Sequence, residues 1–432
     1  MKNNKTKLST ILCAMMVTVA VFALTLTGCS GKKNSNTDKG AENNINLENT
    51  ASEREKNPVP EEYEEDACGE DITWNYDENS GVLTVTGDGE MWDYIVKEDG
   101  SSFYDKAETP WEDYEVDTVV IADGVERIGD HAFSYISDLC KVKIPDSVTS
   151  IGESAFEKCY DLSVVEFSDN ITSIGKNAFT DCYYISDIDL PTGIIEIGDY
   201  AFSGSEFTEI NLPDGVVSIG DGAFSSRSRF FKSVEIPASV EYLGLRAFSG
   251  QRLENINVDL NNKNFSSVDG VLFNKDQTEI IYYPHGKTAK EYIIPDSVLK
   301  IGNNAFEYDY TLESVVIPQG VTEIGDYAFN GTPLKSITIP NSVTKIGDGV
   351  FHGFTFEEIV IPEGVKIMGD FVFSYDHTLK KITLPESIES IGSRVFLATS
   401  IEEIHFAGTE EQWKALGIEA DTIEGVTVTF GK

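Results

Sequence analysis

LKSITIPNSVTKIGDGVF, residues 334–351, is the stretch on which the reading of the fold turns. Ile337-Thr338-Ile339 alternates apolar and polar residues with the two-residue period of a strand buried on one face. Pro340 has no amide hydrogen, so the strand ladder ends there. Val343 and Ile346 are spaced wrongly for a single strand and imply a bend into a second short extended piece. Gly347 marks a backbone conformation that a side chain would obstruct. Val350-Phe351, small then large, suits a short helical turn that drops its ring into the core.

Working outward, the same pattern recurs along most of the chain. Its glycines are Gly129, Gly152, Gly175, Gly198, Gly220, Gly244, Gly302, Gly325, Gly347, Gly369 and Gly392, each followed four residues later by a phenylalanine, from Phe133 to Phe396. Successive copies lie 22 to 24 residues apart, except for 58 between Gly244 and Gly302. A unit this short cannot bury its own apolar edge. Stacked copies can, each contacting only its neighbours, so the pattern predicts a solenoid.

The period of 20–29 residues, with a strand and a short helical piece per unit, resembles the leucine-rich repeat. More narrowly, Ile-Pro-x-Gly/Ser-Val-x-x-Ile-Gly-x-x-Ala-Phe resembles the BspA-like, or treponemal-type, subclass. The usual Asn of ordinary repeats is absent, and Cys159 and Cys182 sit three residues after a phenylalanine, as in that subclass. The resemblance implies a mostly β solenoid of about eleven 23-residue repeats, with parallel strands and short helical turns, capped at both ends. The solenoid is assigned to residues 116–406. Residues 67–115 resemble the family's N-terminal cap, and 407–432, with Gln412-Trp413 opening a short helix, its C-terminal cap. In the long gap at 261–290, Val271-Leu272-Phe273 and Glu279 to Tyr283 flank Asn274 to Thr278, which predicts a hairpin protruding at an edge.

The N-terminus points to export. Lys2, Lys5 and Lys7 precede an uncharged, largely apolar run from Leu8 to Leu26, which reads as a secretory signal at residues 1–28. Leu26-Thr27-Gly28-Cys29 resembles a lipobox, and the resemblance implies cleavage before Cys29 and acylation of its thiol. Residues 29–66 are polar and close on five acids between Glu61 and Asp66, the composition of a disordered tether. Of the remaining cysteines, Cys159 and Cys182 occupy one position in successive units. They read as stacked buried thiols, although a bridge between neighbouring rungs roughly 5 Å apart is geometrically open.

Charge and motifs narrow the function. With 33 Lys+Arg against 73 Asp+Glu, a formal charge of -40 repels phosphate backbones and anionic headgroups and excludes nucleic acid as a partner. His131, His285, His352, His377 and His405 stand at no metal-ligand spacing, and no Cys-x-x-Cys, phosphate-binding glycine loop or nucleophile elbow occurs. The expectation is a binding protein, not an enzyme, with no cofactor and no metal.

What the strands offer is a surface. The outward column of each strand reads Val120, Lys143, Glu166, Asp189, Asn211, Glu235 and Asn257, then Val316, Thr338, Val360, Thr383 and His405. With the column two residues earlier, stacking gathers Glu166, Asp187, Asp189, Glu209 and Glu235 into one acidic patch, the candidate binding site. Its ordinary alternative is a solvated face that keeps the sheet soluble. Tyr183, Tyr184, Phe230 and Phe231 are further candidates for stacking on sugars or peptides, packing between loops being their more ordinary use. Family resemblance implies a lipid-anchored adhesin at the bacterial cell surface that binds an extracellular or host protein. A carbohydrate-binding envelope component and a ligand-free envelope scaffold are the other readings.

Overall fold

The computed structural model describes residues 56–97, 106–226, 228–250 and 252–431. The signal segment, Cys29 and the tether up to residue 55 lie outside the described residues. The body is a parallel solenoid of about fourteen turns with almost no helix.

A regular unit places one strand in each of two parallel ladders, the second nearly continuous and the first interrupted at several coils. In the first, Thr118–Ile121, Lys141–Lys143 and Val164–Glu166 pair in register, with Val119, Val142 and Val165 aligned. A turn follows, in which the amide of Val148 donates to the carbonyl of Pro145, and that of Val343 to Pro340. This is the bend that the Val-x-x-Ile spacing required. The second ladder then runs unbroken through Val125–Ile128, Ser150–Ile151, Ser173–Ile174, Glu196–Ile197, Ser218–Ile219 and Tyr242–Leu243. Ile151, Ile174, Ile197 and Ile219 stack inward on it, all buried.

Two local expectations need correcting. The repeat glycine is not there for an unusual φ. Its Cβ would lie 2.8 Å from the carbonyl carbon of Gly325 at Gly347, and 2.7 Å from that of Gly152 at Gly175, so it is close stacking that forbids a side chain. Nor is the Ala-Phe segment a helical turn. The amides of His131, Phe133 and Tyr135 donate to the carbonyls of Glu153, Ala155 and Glu157 on the next coil, and later units repeat this. Alternate amides spent between coils cannot also make the i→i−4 bonds of a helix. The segment turns instead through left-handed residues just before the Ala-Phe pair and two residues after it, such as Ser154 (φ 53°) and Lys158 (φ 59°).

The phenylalanines form the core's spine. Phe133, Phe156, Phe179, Phe202, Phe224 and Phe248 stack with centroids 5.1–5.5 Å apart. Trp111 closes the N-terminal end of this row at 5.2 Å from Phe133, and its indole N–H donates to the Ala132 carbonyl. A second row runs from Tyr283 through Phe306, Phe329, Phe351 and Phe373 to Phe396.

The interruption between the rows is the predicted hairpin. Val271–Asn274 pairs antiparallel with Glu279–Tyr282, and Phe265–Val268 adds a third strand. It does not protrude, however. Glu279–Tyr282 pairs in parallel with Lys300–Ile301, and Val271, Phe273, Ile280 and Tyr283 are buried. Their apolar side chains belong in the core, and the polar turn alone reaches solvent. Tyr283 takes a phenylalanine's place, its amide donating to Ala305.

At the N-terminal end, Gly69–Asp77 and Val82–Met91 form an antiparallel pair, and Val82–Met91 feeds both parallel ladders. Residues 56–66, grouped with the tether on composition, are seated on this unit. Asn57 donates its amide to Asp93, Tyr63 packs on Trp92, and Trp74 donates its amide to the Asp66 carbonyl. At the other end, Thr409 and Gln412 form a capping box on helix Glu410–Ala415. Trp413 covers Phe406, and Thr427–Phe430 adds a last parallel strand. Cys159 and Cys182 are free and buried, their thiols donating to the carbonyls of Phe133 and Phe156. Burial pushes both thiols well above their ordinary pKa, which makes them inert.

Candidate functional site

All five residues of the acidic patch are exposed, but the backbone beneath them is not uniform. Glu166 ends the strand Val164–Glu166, and Glu235 sits on Ser233–Ile236 opposite Asn257. Asp187, Asp189 and Glu209 lie on the two coils between, where the first ladder lapses although the second continues beneath. Like charges on adjacent rungs repel, which acts in the direction of opening the ladder. One backbone bond joins these two coils there, from the Thr208 amide to the Ser186 carbonyl.

The charges are also unequal in their surroundings. Glu166 is ion-paired to Lys141 at 2.5 Å, and the hydrogen bond with that ammonium lowers its pKa. Asp187 accepts from the Thr208 hydroxyl at 2.6 Å. Among the described residues, Asp187, Asp189, Glu209 and Glu235 have no ion-pair partner. Some carboxylates elsewhere are matched between coils, Lys381–Glu403 on the first ladder, Lys300–Glu279 at 3.0 Å and Lys345–Glu323 at 2.8 Å on the second, and Lys290 and Lys335 on Glu313. The patch is therefore a stretch of uncompensated negative charge on a polar face. Carboxylates without paired cations on one surface suit a cationic partner.

The aromatic candidates divide. Tyr183, Tyr184 and Phe230 are exposed, whereas Phe231 is buried in the core. Tyr183 stacks on Tyr160 of the preceding coil at 5.4 Å, which is the loop packing already considered. Sequence reading missed a different polar feature, a rail of side chains behind the repeat glycine. The carboxylates of Asp326, Asp348 and Asp370 accept the amides of Asp348, Asp370 and Ser393 in turn. Asp199 and Asp221 do the same farther back. The recurrent Ile-Gly-Asp was its signal. Among the described residues no group of three His, Cys, Asp or Glu side chains could hold a metal ion, and no helix is long and apolar enough to cross a membrane.

The model for the BspA-type leucine-rich repeat region, six copies long, matches residues 111–230, 195–293 and 299–415. The chain belongs to the BspA-type leucine-rich repeat family. No curated protein sequence matches it. Among solved structures, this BspA-type chain is similar to a leucine-rich cell surface protein of Faecalibacterium prausnitzii, at 26% identity and a TM-score of 0.63, over 83% of this chain and 98% of that one. A leucine-rich repeat protein of Eubacterium ventriosum matches at 25% identity and a TM-score of 0.57, over 84% and 94%. The pneumococcal vaccine antigen PcpA shares the fold at 24% identity and a TM-score of 0.64, over 85% and 93%.

Proposed function

We propose that this BspA-type protein is a lipid-anchored, non-catalytic recognition protein at the bacterial cell surface. It binds an extracellular or host protein through the outward face of its coils. The observation that carries the reading is the clustering on one exposed face of Asp187, Asp189, Glu209 and Glu235, none ion-paired, where Glu166 and Glu403 on the same face are paired to Lys141 and Lys381. The sequence similarity to a protein described as a leucine-rich cell surface protein supports the location, and the lipobox-like Leu26-Thr27-Gly28-Cys29 supplies the anchor. Exposed opposite charges steer encounter and select partners more than they add affinity. The expected ligand is thus a protein with a basic segment, bound in a salt-sensitive way.

The test is a binding screen of the mature chain, from residue 30 onward, against matrix proteins and a glycan array. The expected outcome is capture of a protein ligand that weakens steeply between about 50 and 300 mM salt, where the screening length shortens below about 10 Å. Binding to glycans alone, or to no protein, contradicts the reading.

A further inference from the structure

The interruption in the repeat makes a second, chemically opposite site. Where the first phenylalanine row ends at Phe248 and the second begins at Tyr283, three coils meet at their turns and leave a cleft of about 420 Å³. Arg246, Arg252 and Lys287 line it, together with His285, Tyr308 and Tyr310. No carboxylate is among the lining residues. In a chain with 73 acidic residues against 33 basic ones, that gathers three cations on one cleft wall, with Glu307 behind Arg246 and Glu254 and Asp269 beyond Lys287.

Backbone packing fixes the cleft. Gly286 donates its amide to the Leu253 carbonyl at 2.7 Å, and a Cβ on Gly286 would lie 2.3 Å from the Arg252 carbonyl oxygen. The turn carrying His285 and Lys287 is thereby held against the backbone of Arg252. Thr311 ties the third coil in, its hydroxyl donating to the Lys287 carbonyl at 2.9 Å.

The cations differ in how they are engaged. Arg246 is paired to the buried Glu307 at 3.1 Å and lies over the ring of Tyr308. Lys287 donates to the Asp269 carbonyl at 2.6 Å. Arg252 is exposed and has no ion-pair partner among the described residues. His285 is largely buried, and its Nε2 is sealed from solvent without a hydrogen-bond partner. Burial, with the charge of Arg246, pushes its pKa down to about 4, so the ring adds no charge to the cleft wall.

We infer that this cleft binds a carboxylated sugar, a single uronic or sialic acid unit, with Arg252 and Lys287 on the carboxylate and Tyr310 beside the ring. Each part of the chemistry is present. A guanidinium matches a carboxylate with two parallel N–H bonds. Phenol rings offer an apolar face to a sugar's C–H groups. The hydroxyls of Ser249 and Thr288 answer its hydroxyls. The volume lies within the range of small-ligand pockets, about 300–1,000 Å³. Because Glu307 already balances Arg246, a monoanion fits better than phosphate.

The experiment is calorimetric titration of the full chain with N-acetylneuraminic acid and with glucuronic acid, beside glucose, inorganic phosphate and an oligo-glutamate peptide. At least one sugar acid is expected to bind, with glucose, phosphate and the peptide weaker by about tenfold or more. Arg252→Gln, an exposed position whose change leaves the melting temperature in place, is expected to lower the affinity about tenfold, and Arg252→Gln with Lys287→Gln to abolish it. The variant in which Asp187, Asp189 and Glu209 are neutralised should bind the sugar acid as before, which separates this site from the outer face. Absence of binding by both sugar acids overturns the inference. So does equal or tighter binding of glucose, phosphate or the peptide, or affinity unchanged in the folded Arg252→Gln variant.

Discussion

A methyl group on Gly347 would lie 2.4 Å from the Asp326 carboxylate and 2.7 Å from its amide nitrogen. Both atoms belong to the coil-to-coil rail, so neither can withdraw without breaking a hydrogen bond. Gly347→Ala should therefore destabilise by about 1–3 kcal/mol, the usual range for overpacking a tight interior, measured by urea unfolding. A loss below about 0.5 kcal/mol would argue against stacking as the glycine's role. His285 makes a pH-dependent contribution of definite sign. Its pKa is about 4 in the folded protein because burial and Arg246 oppose the imidazolium, offset in part by the Glu307 backbone. The unfolded chain binds that proton near pH 6.5, so the stability tied to the neutral ring is full above about pH 6.5 and is lost as pH falls toward 4. Compared with His285→Gln, the wild type should lose on the order of 3 kcal/mol more between those limits. Parallel stability curves for the two would contradict this. At this scale the sequence was informative wherever one residue type recurred. The Ile and Phe columns were legible, whereas the left-handed positions, occupied by His131, Ser154, Asn177 and Tyr200 in turn, share no side-chain signature.

Among the elements, the N-terminal unit is joined to the solenoid by a buried ion cluster. Arg127 donates to Asp93 at 2.6 Å and to Asp130, while Asp93 also accepts the amides of Asp130 and Asn57. Burial resists ionisation of Asp93, but those amides and the guanidinium together outweigh it, and its pKa is lowered. Removing the guanidinium takes the charged donor from buried Asp93, while Asp130 keeps the exposed Lys56 at 3.3 Å. Arg127→Met should cost about 3–5 kcal/mol. Hydrogen exchange should quicken in strand Val125–Ile128 before it does in Lys381–Leu384, because coils couple only to neighbours. Uniform acceleration along the body would show that the cluster does not act locally. The hairpin was legible as a hairpin but not in depth. Asn274 to Thr278 reads as a solvent-facing turn, and nothing in the local pattern says that Glu279–Tyr282 joins the parallel ladder. The seam cleft was illegible for a related reason, since Arg246, Arg252 and Lys287 come from turns on either side of the break in period.

On the scale of the molecule, the repeat supplies both a continuous interior and a continuous exterior, and function belongs to the exterior. The anchor has its own check. Cys29→Ser should abolish metabolic labelling with palmitate and shift the protein from the membrane fraction to the medium. Labelling that persists in the variant would place the lipid elsewhere, and absence of labelling in the wild type would deny it. The acidic patch was legible as a set of residues, because outward columns follow from strand alternation. Its two distinguishing properties were not. The lapse of the ladder at Asp187, Asp189 and Glu209, and the pairing of Glu166 to Lys141, depend on contacts between coils. The most direct test of the proposed recognition surface is the affinity of a captured protein ligand for the variant Asp187→Asn, Asp189→Asn, Glu209→Gln. A drop of about tenfold or more, with a flatter salt dependence and an unchanged melting temperature, is the expected result. An affinity equal to that of the wild type would contradict it.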